Sequence, residues 1–154
     1  MALDLNTVRT ALDTRISTAI NASSRPANIY AYPPDSPELP AIMIRPRTGT
    51  ATYVQFHKSF SNTTQGDNAL VGIELEIEVR VGGWDIDAQI AMDAYLGTAT
   101  TASIINAIES DKTLGGVVES CWVRAVNAPS RYLPEDGVRE YLAAKFEFEA
   151  FGRR

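Results

Sequence analysis

The sequence predicts an α+β domain: a mainly antiparallel mixed sheet of about four to six strands, with an N-terminal helix and two central helices packed on one face. Two runs of alternating apolar and charged residues, at 71–81 and 144–150, predict the main strands. An amphipathic stripe near the N-terminus predicts the first helix, and two short capped segments between the runs predict the others. The length of 154 residues suits a single domain, which we expect to cover residues 1–154.

The first element is predicted to be a helix with one apolar stripe. Its apolar residues recur at spacings of three and four: Leu5, Val8, Leu12, Ile16 and Ile20. Either Asp4 or Asn6 can cap its N-terminus, because short polar side chains accept hydrogen bonds from the first free amides. A short strand at 28–32, an extended proline-rich connection at 33–40 and a short buried strand at 41–44 are expected to follow.

The two alternating runs place their charged residues on one face of each strand. In the first run, the apolar residues at odd positions from 71 to 81 alternate with Glu74, Glu76 and Glu78. In the second, the alanines and phenylalanines of 144–150 alternate with one lysine and two glutamates. Successive side chains of a strand point to opposite faces. We therefore predict one buried and one water-exposed face for both strands.

Two helices are predicted between these runs. Asp85 can cap the first, and Ser103 can cap a second, shorter helix. The apolar positions expected to face the core in the first of these helices are Ile86, Ile90, Ala94 and Leu96. A strand at 117–126 follows, and then a loop bracketed by Pro129 and Pro134.

The segment 47–68 is predicted to be a hairpin or loop that contacts a partner. Weak alternation at 52–60 indicates a strand, and the polar residues at 61–68 indicate a turn. The candidate contact residues are cations and aromatics: Arg45, Arg47, Tyr53, Phe56, Lys58 and Phe60. This mixture is typical of protein interfaces, and it also suits stacking on single-stranded bases. The acidity of the chain favours the protein partner.

Charge and hydropathy exclude several classes of function. Fourteen basic and nineteen acidic residues give a net charge of −5, whereas binding to duplex phosphates requires a basic surface. No apolar run approaches the roughly 20 residues of a membrane span. The first fifteen residues lack the apolar stretch of a signal peptide. We expect a protein made in the cytoplasm, without a membrane partner.

The residues that could support catalysis are few. His57 and Cys121 are the only histidine and cysteine, so the usual zinc sites are not expected, and Cys121 is expected to be structural within its strand. The glutamate rows can in principle serve acid–base chemistry or hold a divalent cation, but a solvated sheet face is the simpler interpretation. We predict that the chain is not an enzyme and has no cofactor or metal site.

The order of elements and four local motifs resemble the tail terminator family of long-tailed bacteriophages, the lambda-type group. The motifs are Ile-Tyr-Ala-Tyr-Pro-Pro at 29–34, Leu-Pro-Ala-Ile-Met-Ile-Arg-Pro at 39–46, the long strand at 69–81 and Asp-Lys-Thr-Leu-Gly-Gly at 111–116. The resemblance covers nearly the whole chain. None of the motifs is a catalytic signature.

This resemblance implies a structural virion protein at the neck of the phage. Such a protein forms a ring, hexameric in this family, that caps the tail tube, ends its polymerisation and forms the tail side of the head–tail joint. The implied partners are further copies of the chain, the tube protein and a head–tail connector or stopper protein, and no cofactor is implied. DNA passes through the ring without specific binding.

Two features of the sequence are assigned roles within that ring as hypotheses. Glu74, Glu76 and Glu78 are expected to line the lumen, because an acidic wall repels phosphates. The hairpin at 47–68 is expected to make a ring or tube contact. Two alternatives stay open: a connector or head-completion protein on the portal side, and a small metal-dependent hydrolase that uses the glutamate rows.

Overall fold

The computed structural model describes residues 3–47, 54–57, 70–133 and 140–153, with the backbone alone at 54–57 and at residue 70. Its elements, in chain order, are α1 (Leu5–Asn21), β1 (Asn28–Tyr30), β2 (Ala41–Pro46), β3 (Val54–His57), β4 (Leu70–Gly82), α2 (Ile86–Leu96), α3 (Ile104–Glu109), β5 (Ser120–Val126), β6 (Ser130–Tyr132) and β7 (Tyr141–Arg153). This arrangement confirms the predicted α+β class, with an N-terminal helix and two central helices.

The centre of the sheet is the antiparallel pair β4 and β7, each of thirteen residues. β2 and then β3 pair along one side of β4, while β5 and then β6 pair along the far side of β7. β1 adds a short parallel pairing to β2, which makes the sheet mixed. The long strands form because their alternating apolar residues give each strand a continuous row to bury.

The hydrophobic core lies between the sheet and the helices on one of its faces. The stripe of α1 is fully buried at Val8, Leu12, Ile16 and Ile20. It belongs to the same core cluster as the apolar rows of β4 and β7. Asp4 caps α1 by accepting a hydrogen bond from the Thr7 amide at 2.9 Å. Of the two predicted caps for α1, Asp4 is therefore the one that the structure uses.

Helix α2 buries a different face from the predicted one. Ala88, Met92 and Tyr95 face the core, while Ile86 is 74% exposed and Ile90 is 50% exposed. The prediction was wrong for Ile86 and Ile90, whereas Ala94 and Leu96 are partly buried and pack against the core as expected. The error arose because both faces of this helix carry apolar residues, so periodicity alone cannot choose between them. A contact distant in sequence fixes the buried face: the Tyr95 hydroxyl donates to the Arg25 carbonyl at 3.0 Å.

Two smaller predictions also need correction. Residues 130–132 lie in the predicted loop, but they form β6 because they pair with the first three residues of β7. The glutamate face of β4 is not exposed to water, since Glu76 is 2% exposed and Glu78 is 3% exposed. The physical reason is that lysine and arginine side chains cover these carboxylates. This arrangement is part of the candidate site.

No helix in the described parts of the chain is both long enough and apolar enough to cross a membrane.

Candidate functional site

The face of the sheet opposite the helices carries a cluster of charged side chains, which we call the charged face. Its members are Glu74, Glu76, Glu78 and Arg80 of β4, Lys145, Glu147 and Glu149 of β7, Arg45 of β2, Arg124 of β5, and Arg47 just after β2. The strand alternation that sends apolar residues to the core sends these residues to the other side.

The register of β4 and β7 brings carboxylates together on this face. Glu74 lies opposite Glu149, and Glu76 lies opposite Glu147. Like charges directly opposite one another destabilise a sheet. The pairing is therefore tolerated only if cations neutralise these carboxylates.

Five cations supply that neutralisation. Arg47 bridges Glu74 at 3.5 Å and Glu147 at 3.1 Å, and the Lys145 ammonium lies 2.9 Å from Glu76. Glu78 forms ion pairs with both Arg45 and Arg80, the latter at 3.2 Å. Arg124 reaches Glu149 at 3.2 Å from β5. The ten side chains have no net charge as a group, so the negative charge of the protein comes from other regions.

Burial and aromatic contacts hold the cations of the charged face in place. Burial lowers the pKa of Arg45, while the negative charge of Glu76 opposes that shift. An arginine starts from so high a pKa that the guanidinium keeps its charge. The Arg80 guanidinium lies 4.8 Å from the centroid of the Tyr141 ring, which stacks on Tyr132. A second stacked pair, Trp122 and Phe151, lies towards the other end of β7.

The three predicted lumen acids have surroundings in the structure that differ from the expected ones. Glu74, Glu76 and Glu78 do lie on one face, but they are paired with cations and do not form the expected acidic wall. Arg80 is two residues from Glu78 in the same strand. The other cations, Arg45, Arg47 and Lys145, are distant in sequence and reach the glutamates only through the pairing of β2 and β7 with β4. That this face lines a lumen stays a prediction, now for a surface of balanced charge.

The predicted contact residues of the hairpin are only partly described. Arg45 and Arg47 belong to the charged face, so the structure joins them to the glutamates. Phe56 lies in β3 at the position opposite Val71. Tyr53, Lys58 and Phe60, like most of the segment 47–68, lie outside the described residues. The hairpin interface therefore stays a prediction.

The candidate catalytic groups are constrained by their surroundings. Every glutamate of the charged face is held in an ion pair. The Cys121 side chain is fully buried in the core cluster, and burial raises the pKa of its thiol to about 11, so a reactive thiolate is disfavoured. His57 lies in β3 at the position opposite Leu70. Among the residues that the structure describes, no group of three or more histidine, cysteine or acidic side chains is arranged to hold a metal ion.

The sequence analysis missed an exposed apolar surface on α2. Ile86 is 74% exposed and Ile90 is half exposed on the helix, and Trp84, just before the helix, is also half exposed. Acidic residues surround them, namely Asp85, Asp87 and Asp93. We call these six residues the acidic helix surface. The signal for it was the absence of lysine and arginine from residue 81 to residue 111, a stretch that contains five acidic residues.

A second exposed apolar surface follows the outer strand of the sheet. Val126, Tyr132 and Leu133 are exposed along this strand edge, as are Arg124 and Arg131, and we call these five residues the basic edge. They lie on both sides of the edge, since Val126 is opposite Phe146 of the core whereas Tyr132 is opposite Tyr141 of the other face. Residues 120–133 contain no acidic residue. The two surfaces adjoin at one point, where the Arg131 guanidinium lies 3.7 Å from the centroid of the Trp84 ring and 2.6 Å from Glu140.

The motif at 111–116 forms a tight turn after α3. Asp111 accepts hydrogen bonds from the Thr113 amide at 3.0 Å, the Thr113 hydroxyl at 2.6 Å and the Gly115 amide at 2.8 Å. These bonds, with that of the Thr113 hydroxyl foremost, lower the pKa of Asp111 to about 2. Gly115 and Gly116 have positive φ values of 72° and 89°, which glycine adopts without steric cost. The residue types of this motif are thus explained by its backbone conformation.

Comparison of the sequence with known proteins does not assign the chain to a family. No protein-family model matches the chain, and no curated protein sequence matches it.

Proposed function

We propose that this chain is a structural protein of a long-tailed bacteriophage that caps the tail tube as a ring of six copies. In this role it ends tube polymerisation and forms the tail side of the head–tail joint, with the tube protein and a connector or stopper protein as partners. It acts at the neck of the virion after synthesis in the host cytoplasm.

The observation that carries this proposal is the pair of exposed apolar surfaces with opposite charge. Seven large hydrophobic side chains are exposed among the described residues, and six of them belong to the acidic helix surface or the basic edge. Exposed apolar side chains that cluster within a charged border are typical of protein interaction sites. A protein that works by assembly requires such surfaces.

The charged face supports a structural role over the hydrolase alternative. A catalytic carboxylate must be free to exchange a proton or to bind a metal ion, usually within a pocket. Here the glutamates neutralise cations and stabilise the pairing of β2, β4 and β7. A face whose cations are already paired with carboxylates also suits passage of DNA without specific binding, since phosphates would compete with those pairs.

The location of the protein in the virion tests the proposal. The Leu3 amide donates to the Arg153 carbonyl at 3.1 Å, so a peptide tag at either end of the chain marks the same corner of the domain. We expect gold particles directed to either tag to lie at the junction of head and tail in electron micrographs of infectious particles. Labels over the capsid, along the tail or at its distal tip would contradict the proposal.

A further inference from the structure

We infer that the acidic helix surface of one copy docks on the basic edge of the next copy, and that this head-to-tail contact closes the ring. The inference rests on the proposed function for the ring itself. We choose these two surfaces because of their exposure, their charges and their positions in the fold.

The two surfaces match in apolar content. Each presents three large exposed side chains, one set being Trp84, Ile86 and Ile90 and the other Val126, Tyr132 and Leu133. Aromatic and branched aliphatic side chains of this kind form the centre of protein interfaces, where their removal from water stabilises the complex. Tyr32 is the one large exposed hydrophobic side chain of the described residues that lies outside both surfaces.

The two surfaces are opposite in charge. Asp85, Asp87 and Asp93 border the first, while Arg124 and Arg131 border the second. Arg131 is engaged by Glu140 and Trp84 of its own chain and is 41% exposed. Arg124 is paired with Glu149 alone, and its side chain is 54% exposed. Arg124 is therefore the cation that remains most accessible to aspartates of a neighbour. Opposite charges around an apolar centre favour this contact over the pairing of two identical surfaces.

The surfaces lie on different elements of the fold, as a ring requires. α2 packs on the helix face against β4 and β7, whereas β5 and β6 form the outer edge of the sheet. A ring subunit must present two different surfaces, one to each neighbour, and their relative angle sets the number of copies. One surface on a face and the other on an edge meet that condition.

The contact uses side chains in preference to strand pairing. The register of β5 against β7 shifts between Val123 and Ala125, so the outer strand is irregular at Arg124. Such irregularities disfavour the addition of a further strand to a sheet edge. The exposed side of a neighbouring helix fits this edge better than another strand does.

Two double variants test the inference through a mixing experiment. The helix variant carries Ile86→Asp and Ile90→Asp, and the edge variant carries Val126→Asp and Leu133→Asp. All four side chains are exposed, so both variants should keep the circular dichroism spectrum of the parent chain. The matched control carries Thr98→Asp and Ala99→Asp, which add two carboxylates at exposed positions outside both surfaces.

The masses are measured by sedimentation velocity at subunit concentrations up to about 1 mM. The wild-type chain and the control should form a ring of six 16.8 kDa subunits. Each variant alone should be monomeric. An equal mixture should form dimers with one chain of each kind, because the edge variant keeps the acidic helix surface and the helix variant keeps the basic edge.

Four results would overturn the inference: a wild-type chain that stays monomeric or stops at dimers, a variant that still forms rings, a control that fails to form them, or a mixture without dimers. None of these four results concerns the position of the protein in the virion. A failure of the inference is therefore distinguishable from a failure of the proposed function, which the labelling experiment measures.

Discussion

Replacing Glu78 with glutamine is expected to lower the free energy of unfolding by about 2–4 kcal/mol. The glutamate is almost fully buried and forms ion pairs with Arg45 and Arg80. Glutamine has nearly the same shape but no charge, so both guanidinium groups would lose their counter-ion in a half-buried site. Urea unfolding followed by tryptophan fluorescence measures the change.

Glu119→Gln is the matched control for this substitution. Glu119 also pairs with an arginine, Arg153, at 2.6 Å, but both side chains are largely exposed. Exposed ion pairs contribute about 1 kcal/mol or less. If Glu78→Gln cost no more than Glu119→Gln, the charged face would not stabilise the sheet as we describe.

Met92→Ala is expected to lower the free energy of unfolding by about 2–4 kcal/mol, because truncation of a buried side chain removes apolar contacts and leaves a cavity. Met92 is almost completely buried between α2 and the rest of the core. The matched control on the same helix is Ile90→Ala, which should change stability by about 0.5 kcal/mol or less because Ile90 is half exposed. Thermal and urea unfolding of the two variants measure the difference.

The sequence pattern of α2 makes the opposite prediction, since it places Ile90 in the core. A larger loss of stability for Ile90→Ala than for Met92→Ala would restore that prediction. It would also remove Ile90 from the acidic helix surface, and with it part of the argument for the contact between copies.

The sequence predicted those helices and strands whose apolar residues recur with one clear spacing. α1 has one apolar stripe, and β4 and β7 alternate over 71–81 and 144–150, so the direction of burial there follows from the residue order. The capping residues Asp85 and Ser103 were also predicted, because an N-cap requires only a side chain and an amide three residues ahead.

The features that the sequence did not predict depend on contacts between segments that are distant in sequence. The burial of Glu76 and Glu78 requires Arg45 and Lys145, which only the pairing of β2, β4 and β7 brings near them. The alternation of β4 shows which side chains share a face, but it does not show what covers that face.

The candidate interaction surfaces were missed for a related reason. The apolar residues of α2 fit two helix faces, and the choice between them depends on packing against the sheet and on the bond from Tyr95 to Arg25. When Ile86 and Ile90 are assigned to the core, the exposed apolar residues of the acidic helix surface cannot be recognised. The separation of acidic and basic stretches at 81–111 and 120–133 was the available signal.

If the proposed role is right, a phage encodes this chain, and the most direct test is electron microscopy of lysates from that phage after a nonsense codon has been placed early in the gene. A tube that lacks its terminator should continue to grow, so we predict overlong tails without heads, beside filled heads without tails. Supply of the wild-type chain from a plasmid should restore tails of normal length joined to heads. Free tails of normal length beside filled heads would contradict the tube-capping role and would place the protein on the connector side of the joint.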